Sequence, residues 1–167
     1  MKEQCIHPSA CIDSSASLGE GCKVGAMAVI ESGTQVGAEA EIAPKAYIGR
    51  NVHVGYGAVI GCGAVVMDDT VIGDRAVVEA GAVLGMDGFG YVFDGKSHRK
   101  IPQVGNVVIG EGAKIGACSC VDRAATASTL IGDYTELGHM VMVGHNSKVG
   151  SHCHIGDQSG LTGSSVV

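Results

Sequence analysis

Residues 28–61 read AVIESGTQVGAEAEIAPKAYIGRNVHVGYGAVIG, with an aliphatic side chain at every sixth place: Ile30, Val36, Ile42, Ile48, Val54 and Ile60. Outward from this stretch the series continues unbroken, back through Val24, Leu18 and Ile12 to Ile6 and forward through Val66, Ile72 and Val78 to Leu84. Two places before the aliphatic residue the side chain is small, as at Ala28, Thr34, Ala40, Ala46, Ala58, Ala64 and Thr70. A glycine commonly follows it, as at Gly37, Gly49, Gly55 and Gly61. A helix repeats near 3.6 residues and a strand at 2, so a strict six fits neither. It fits a short strand and a turn, repeated, with one large and one small side chain facing inward. A single hexad cannot bury its aliphatic residue, but stacked hexads share one continuous core. Three hexads close a triangular turn, so residues eighteen apart lie above one another, about 4.8 Å apart. The reading predicts an all-β chain, one parallel β-helix domain over residues 1–167.

Composition supports a repeat coil. The chain has 46% hydrophobic residues, enough for a real core in one domain, with 27 glycines but only four tyrosines, two phenylalanines and no tryptophan. Its net charge of −6 gives nucleic acid and anionic membranes no electrostatic reason to bind. No basic segment precedes an apolar one at the N-terminus, and no run of eighteen apolar residues occurs, so no integral membrane segment is expected. Seven cysteines lack Cys-x-x-Cys spacing. Cys22 and Cys153 take the small inward slot and Cys5, Cys11 and Cys120 precede aliphatic ones, which suits reduced thiols in a cytoplasmic protein.

The repeat breaks twice. Residues 85–107, GMDGFGYVFDGKSHRKIPQVGNV, leave it, and the phase returns at Ile109, Ile115 and Val121. A slip of four residues follows within Asp122–Leu130, after which Ile131, Leu137, Val143, Val149, Ile155, Leu161 and Val167 keep step. Loops thrown from a rigid scaffold are where sites sit, and the first excursion holds Phe89, Tyr91 and Phe93. The chain stops in mid-repeat at Thr162-Gly-Ser-Ser-Val-Val167. Solenoid ends need polar caps, so either a partner or further chain is expected there.

Four of the seven histidines, His139, His145, His152 and His154, lie close together. His139 and His145 share the hexad slot two places after an aliphatic residue, pointing outward on adjacent faces. Eighteen residues after His139 comes Asp157, placed to orient its ring. Eighteen after His145 comes Gly163, whose bare backbone N–H beside an imidazole suits oxyanion stabilisation.

Several segments resemble the UDP-3-O-acylglucosamine N-acyltransferases of lipid A synthesis, across nearly the whole chain. They are Ile6-His-Pro-Ser-Ala10, Asp87-Gly-Phe-Gly-Tyr91, Lys100-Ile-Pro-Gln-Val-Gly105, Val107-Val-Ile-Gly110, Ile115-Gly-Ala-Cys118, Val121-Asp-Arg123 and Val143-Gly-His-Asn-Ser-Lys-Val-Gly150. The Asp-Gly-Phe-Gly-Tyr loop followed by Ile-Pro-Gln and then Gly-His-Asn is the specific part. Hexapeptide repeats by themselves are shared by many acyltransferases. The resemblance implies left-handed winding, against the usual right-handed preference of crossovers. It implies His145 as general base, Gly163 as oxyanion donor, and Asp87, Phe89, Tyr91 and Asn146 as substrate-binding residues. It further implies a homotrimer with sites between neighbouring coils, a UDP-glucosamine derivative as acceptor, and a donor thioester on the phosphopantetheine of acyl carrier protein, with no bound cofactor and no metal. A histidine's ordinary pKa of about 6.5 leaves it largely neutral near pH 7, as a base requires. The chain departs from the family in four places, one of them its end at Val167, past which the family continues through further coils and terminal helices and carries a second histidine. It begins at the first hexad, where the family carries a uridine-binding domain. It reads Gly138-His-Met-Val-Met142 where the family has Asp-Asn-x-x-Gln, and Asp122-Arg-Ala124 for Asp-Arg-Gly.

Three other readings stay open. An acetyl-CoA-dependent sugar N-acetyltransferase uses similar coils, and a non-catalytic β-helix would need no site. A zinc enzyme needs three converging histidines, and His139 and His145 are six apart rather than five. The segment Lys96-Ser-His-Arg-Lys100 offers a basic cluster for an acidic carrier protein.

Overall fold

The computed structural model describes residues 5–167. It is a left-handed parallel β-helix of about nine turns, without a helix among the described residues. Twenty-five short strands form two eight-stranded parallel sheets, one seven-stranded parallel sheet and a two-stranded antiparallel ribbon. In the first coils the register is the predicted eighteen: Cys11 pairs with Val29 and Tyr47 with Val65.

The column's interior follows from the hexad. Ile30, Ile42, Ile48, Ile60, Ile72 and Leu84 are fully buried, with Ala28, Ala40, Ala58, Ala64 and Ala76 beside them. Stacking brings consecutive coils close. A Cβ on Gly61 would lie 2.6 Å from the backbone of Glu79 and Ala80, which is why glycine follows the aliphatic residue there. Hydroxyls that enter the small slot satisfy the backbone: Thr34 Oγ1 donates to Gly49 O at 2.6 Å and accepts from Val52 N at 3.2 Å. Thr135 repeats this with Gly150 O and Cys153 N. At the outer corners, aspartates cap the N–H groups of the preceding coil. Asp68, Asp74, Asp133 and Asp157 accept from the backbone of Arg50, Tyr56, Glu111 and His139, each at 2.8 Å.

Both interruptions are where the spacing puts them. Ile72 pairs with Ile109 and Leu84 with Val121, thirty-seven apart, so nineteen residues are added within one turn. Ile109 pairs with Ile131 and Val121 with Val143, twenty-two apart, as a slip of four requires. The first loop is narrower than 85–107. The strand Val83–Asp87 continues past a register shift to pair Met86 with Asp122 and Asp87 with Arg123, and the coil resumes at Asn106–Ile109. The two irregular segments support each other: Arg123 donates from Nε to Gly85 O at 2.8 Å and from Nη2 to Asp68 O at 2.6 Å. Turning Gly85 O toward Arg123 takes it from Thr70. Thr70 Oγ1, fifteen residues earlier and in the slot of Thr34, is buried without a partner. Between 88 and 105 the chain forms a hairpin, Tyr91–Phe93 against His98–Lys100, tied by Asp94 Oδ1 accepting from Lys96 N and Ser97 N at 2.9 Å.

Candidate active site

His145 stands two places after the buried Val143, at the corner leaving the strand Met142–Val143. A Cβ at Gly163 would fall 2.6 Å from His145 Cε1 and 2.9 Å from both ring nitrogens, so the imidazole occupies the space a side chain there would need. From the excursion, a Cβ at Gly88 would fall 2.5 Å from His145 Cβ and 2.9 Å from Nδ1. The ring is therefore set between two glycines, one on the next coil and one at the root of the hairpin. It borders a cavity of about 360 Å³ lined by Phe89, Asp122, Met142, His145, Leu161 and Gly163. Phe89 is 83% exposed. Its ring lies 5.1 Å from Tyr91, and Lys100 Nζ sits 5.8 Å from the Tyr91 centroid.

The other expected residues are placed as follows. Asp87 pairs with Lys100 Nζ at 3.3 Å, and that ammonium also donates to Gly88 O at 2.9 Å, which locks the hairpin root beside His145. Asn146 serves the scaffold. It adopts a left-handed φ of 60°, its Oδ1 accepts from Ala125 N at 2.8 Å, and its backbone N–H goes to Thr129 Oγ1. A substrate contact from Asn146 would rest on its amide NH₂ alone. In the basic cluster, Arg99 is paired with Asp94 and Lys100 with Asp87. Asp94 is held down to about 2, first by the Arg99 guanidinium and then by the Ser97 and Lys96 N–H groups.

The expected His139–Asp157 ring pair does not form, because the Asp157 carboxylate is taken by the His139 backbone N–H. His139 instead turns its ring toward the preceding coils: Nδ1 accepts from Ala117 N at 3.0 Å and lies 3.3 Å from Glu79 Oε2. Lys114 Nζ is 3.1 Å from Glu79 Oε1 and is the main cause that lowers the Glu79 pKa. The two histidines share a slot but not an orientation, and only His145 faces a glycine on the next coil. Among the described residues, no three His, Cys, Asp or Glu side chains gather as a metal would require.

Two residues of the site carried no role in the sequence reading. Gly88 lies inside the Asp-Gly-Phe-Gly-Tyr motif, and its closeness to His145 follows from the loop's path, which no periodicity encodes. Asp122 follows Val121 in the resumed repeat and is the only buried carboxylate among the described residues, 8% exposed. Burial pushes its pKa up to about 6, with His145 and Lys100 opposing the rise and Asp87 adding to it.

The repeats match the family model "Bacterial transferase hexapeptide (six repeats)" over residues 27–62 and 128–163. The chain is 48% identical over 87 residues to UDP-3-O-acylglucosamine N-acyltransferase 1 of Gloeobacter violaceus, covering 52% of this chain and 25% of that protein. It is 45% identical over 89 residues to UDP-3-O-acylglucosamine N-acyltransferase of Dechloromonas aromatica, covering 53% and 26%. The chain thus spans about a quarter of the length of the curated relatives it matches. Among solved structures, the Arabidopsis UDP-N-acetylglucosamine acyltransferase superposes with a TM-score of 0.75 at 24% identity, over 96% of this chain and 60% of that one. The Francisella novicida UDP-N-acetylglucosamine acyltransferase gives 0.60 at 22%, over 95% and 54%. These two likenesses bear on the fold, while the curated relatives bear on kinship. Over about half its length, this chain is similar in sequence to UDP-3-O-acylglucosamine N-acyltransferases, and its repeats match the bacterial transferase hexapeptide model.

Proposed function

We propose that the site performs N-acyl transfer, with His145 as general base and the Gly163 backbone amide as oxyanion donor. The supporting observation is the imidazole seated against Gly163 at the edge of a cavity walled by Phe89, Met142 and Leu161. An amine entering beside His145 attacks a thioester carbonyl as the ring takes its proton. The C–N bond forms, the carbonyl oxygen becomes an oxyanion, and the C–S bond then breaks to release a thiol. A preorganised N–H at that oxyanion is worth on the order of 10²–10³ in rate. The apolar wall suits an acyl chain longer than acetyl. We therefore assign the donor as an acyl thioester on acyl carrier protein and the acceptor as the amine of a UDP-glucosamine derivative, placed by Asp87, Phe89 and Tyr91. The curated relatives' names carry the same substrate class. A homotrimer with the hairpin closing a cleft against a neighbouring coil, acting in the cytoplasm, completes the proposal. The test is thiol release with long-chain acyl carrier protein and with acetyl-CoA, each with and without the amino sugar nucleotide. Acceptor-dependent release from the carrier protein alone is the expected result. Release from acetyl-CoA alone would make it a sugar N-acetyltransferase, and release from neither would leave a non-catalytic coil.

A further inference from the structure

We propose that Asp122 acts on His145 across the cavity they share: its carboxylate balances the charge the imidazole gains on taking a proton. This rests on the reading of His145 as base. The other aspartates of the coil have evident structural work. Asp68, Asp74, Asp133 and Asp157 cap backbone N–H groups, and Asp13 and Asp94 close local turns. Asp122 does none of this: among the described residues no N–H or O–H donates to its carboxylate, although it is more buried than any other acid. Burial of a carboxylate without hydrogen bonds is costly.

Its place in the coil gives a reason. Val121 pairs with Val143, so Asp122 lies directly beneath Gly144, one coil before the corner that carries His145. Both side chains open into one cavity with Gly163 and Phe89. The charged groups around the carboxylate are His145 on the following coil, Lys100 from the hairpin and Asp87 on the strand paired alongside. Lys100 is already paired with Asp87 at 3.3 Å, which leaves the imidazole as the cation that Asp122 answers. A histidine that must gain and lose a proton is steadied by a carboxylate that never leaves, here across a cavity whose other walls include the apolar Phe89, Met142 and Leu161. The raised pKa still leaves Asp122 mostly ionised near pH 7, as the role needs.

The first measurement is the Asp122 carboxyl titration by carbon-13 NMR in the wild-type chain and in His145→Gln. Protonated imidazole lowers the Asp122 midpoint, so the glutamine variant should move it upward from about 6. An unchanged midpoint would overturn the pairing. The second is kinetic. Asp122→Asn keeps the shape and should lower kcat by on the order of 10–100-fold with little change in KM. Combined with His145→Gln it should cost nothing further, because both act through one ring. Losses that multiply, or a fully active Asp122→Asn, would overturn the proposal while leaving His145 as base. A fully active His145→Gln would instead remove the base reading, and the titration would still decide whether the two groups are coupled.

Discussion

Replacing Gly163 with alanine should separate chemistry from folding. Gly163 does not sit in the left-handed backbone region, so alanine can adopt its conformation. Its new methyl would begin 2.6 Å from His145 Cε1 and 2.9 Å from both ring nitrogens. Ordinary carbon contacts lie near 3.5–4.0 Å, so the ring must retreat by about 1 Å. It can do so by rotating about its side-chain torsions at roughly 0.5–1.5 kcal/mol, partly offset by the roughly 0.4–1 kcal/mol that losing a glycine's unfolded-state freedom contributes. Stability should therefore stay within about 1 kcal/mol of wild type in urea melts. The rate should not: a misplacement of about 1 Å in a reacting group costs on the order of 10²-fold. Gly144→Ala is the contrast, since its Cβ would land 2.6 Å from Gly163 N, a backbone atom that cannot step aside. That variant should lose several kcal/mol, as overpacked positions do. Gly156→Ala, with nothing within 4 Å, should change neither quantity. Full acyl-transfer activity in Gly163→Ala, or a stability loss as large as that of Gly144→Ala, would refute the reasoning.

Four further outcomes are expected. The Asp122 pKa is raised by burial to about 6, so the folded state holds a proton that the unfolded state loses near 3.8. That contribution is intact below about pH 4 and is lost as pH rises through 6, and two pKa units correspond to about 3 kcal/mol; Asp122→Asn should thus stabilise the chain at pH 8 and not at pH 4 in parallel denaturant melts. Thr34→Val should cost about 1–3 kcal/mol by stranding Gly49 O and Val52 N, whereas Thr70→Val, which removes an unpartnered hydroxyl, should be neutral or stabilising by the same melts. Asp94 is held near 2 by Arg99 and two N–H groups, so the hairpin's support from it is complete above about pH 4 and lost as pH falls through 2, which carboxyl NMR titration with Arg99→Gln as control will show. Ile60→Ala, at the middle of the buried column, should cost about 2–5 kcal/mol in urea unfolding.

The period of six disclosed the coil because it is a strong constraint, unbroken from Ile6 to Leu84: every hexad must supply one large and one small inward side chain. The same counting put Gly163 over His145 and sized the slip at four residues. Counting failed where side chains choose their own direction. His139 and His145 have identical slots, yet the Asp157 carboxylate is consumed by a backbone N–H, and the His139 ring swings to Glu79 instead. It failed again inside the excursion, because nothing periodic fixes how a hairpin folds back. Gly88 reaches the imidazole through tertiary contacts, made where Lys100 locks onto Asp87 and Arg123 onto Gly85. Asn146 shows a tie that counting does not reveal, a motif residue whose side-chain carbonyl holds the second loop. Asp122 was hidden because its position looks like any first residue after an aliphatic one, and only burial beside His145 sets it apart.

The most direct test of the account is single-turnover thiol release from long-chain acyl carrier protein in the presence of the amino sugar nucleotide, wild type against His145→Gln. The variant should fold normally and bind the donor but lose at least about 10²-fold in the transfer step. An unchanged rate in a correctly folded variant would contradict it, whatever the coil around position 145 looks like.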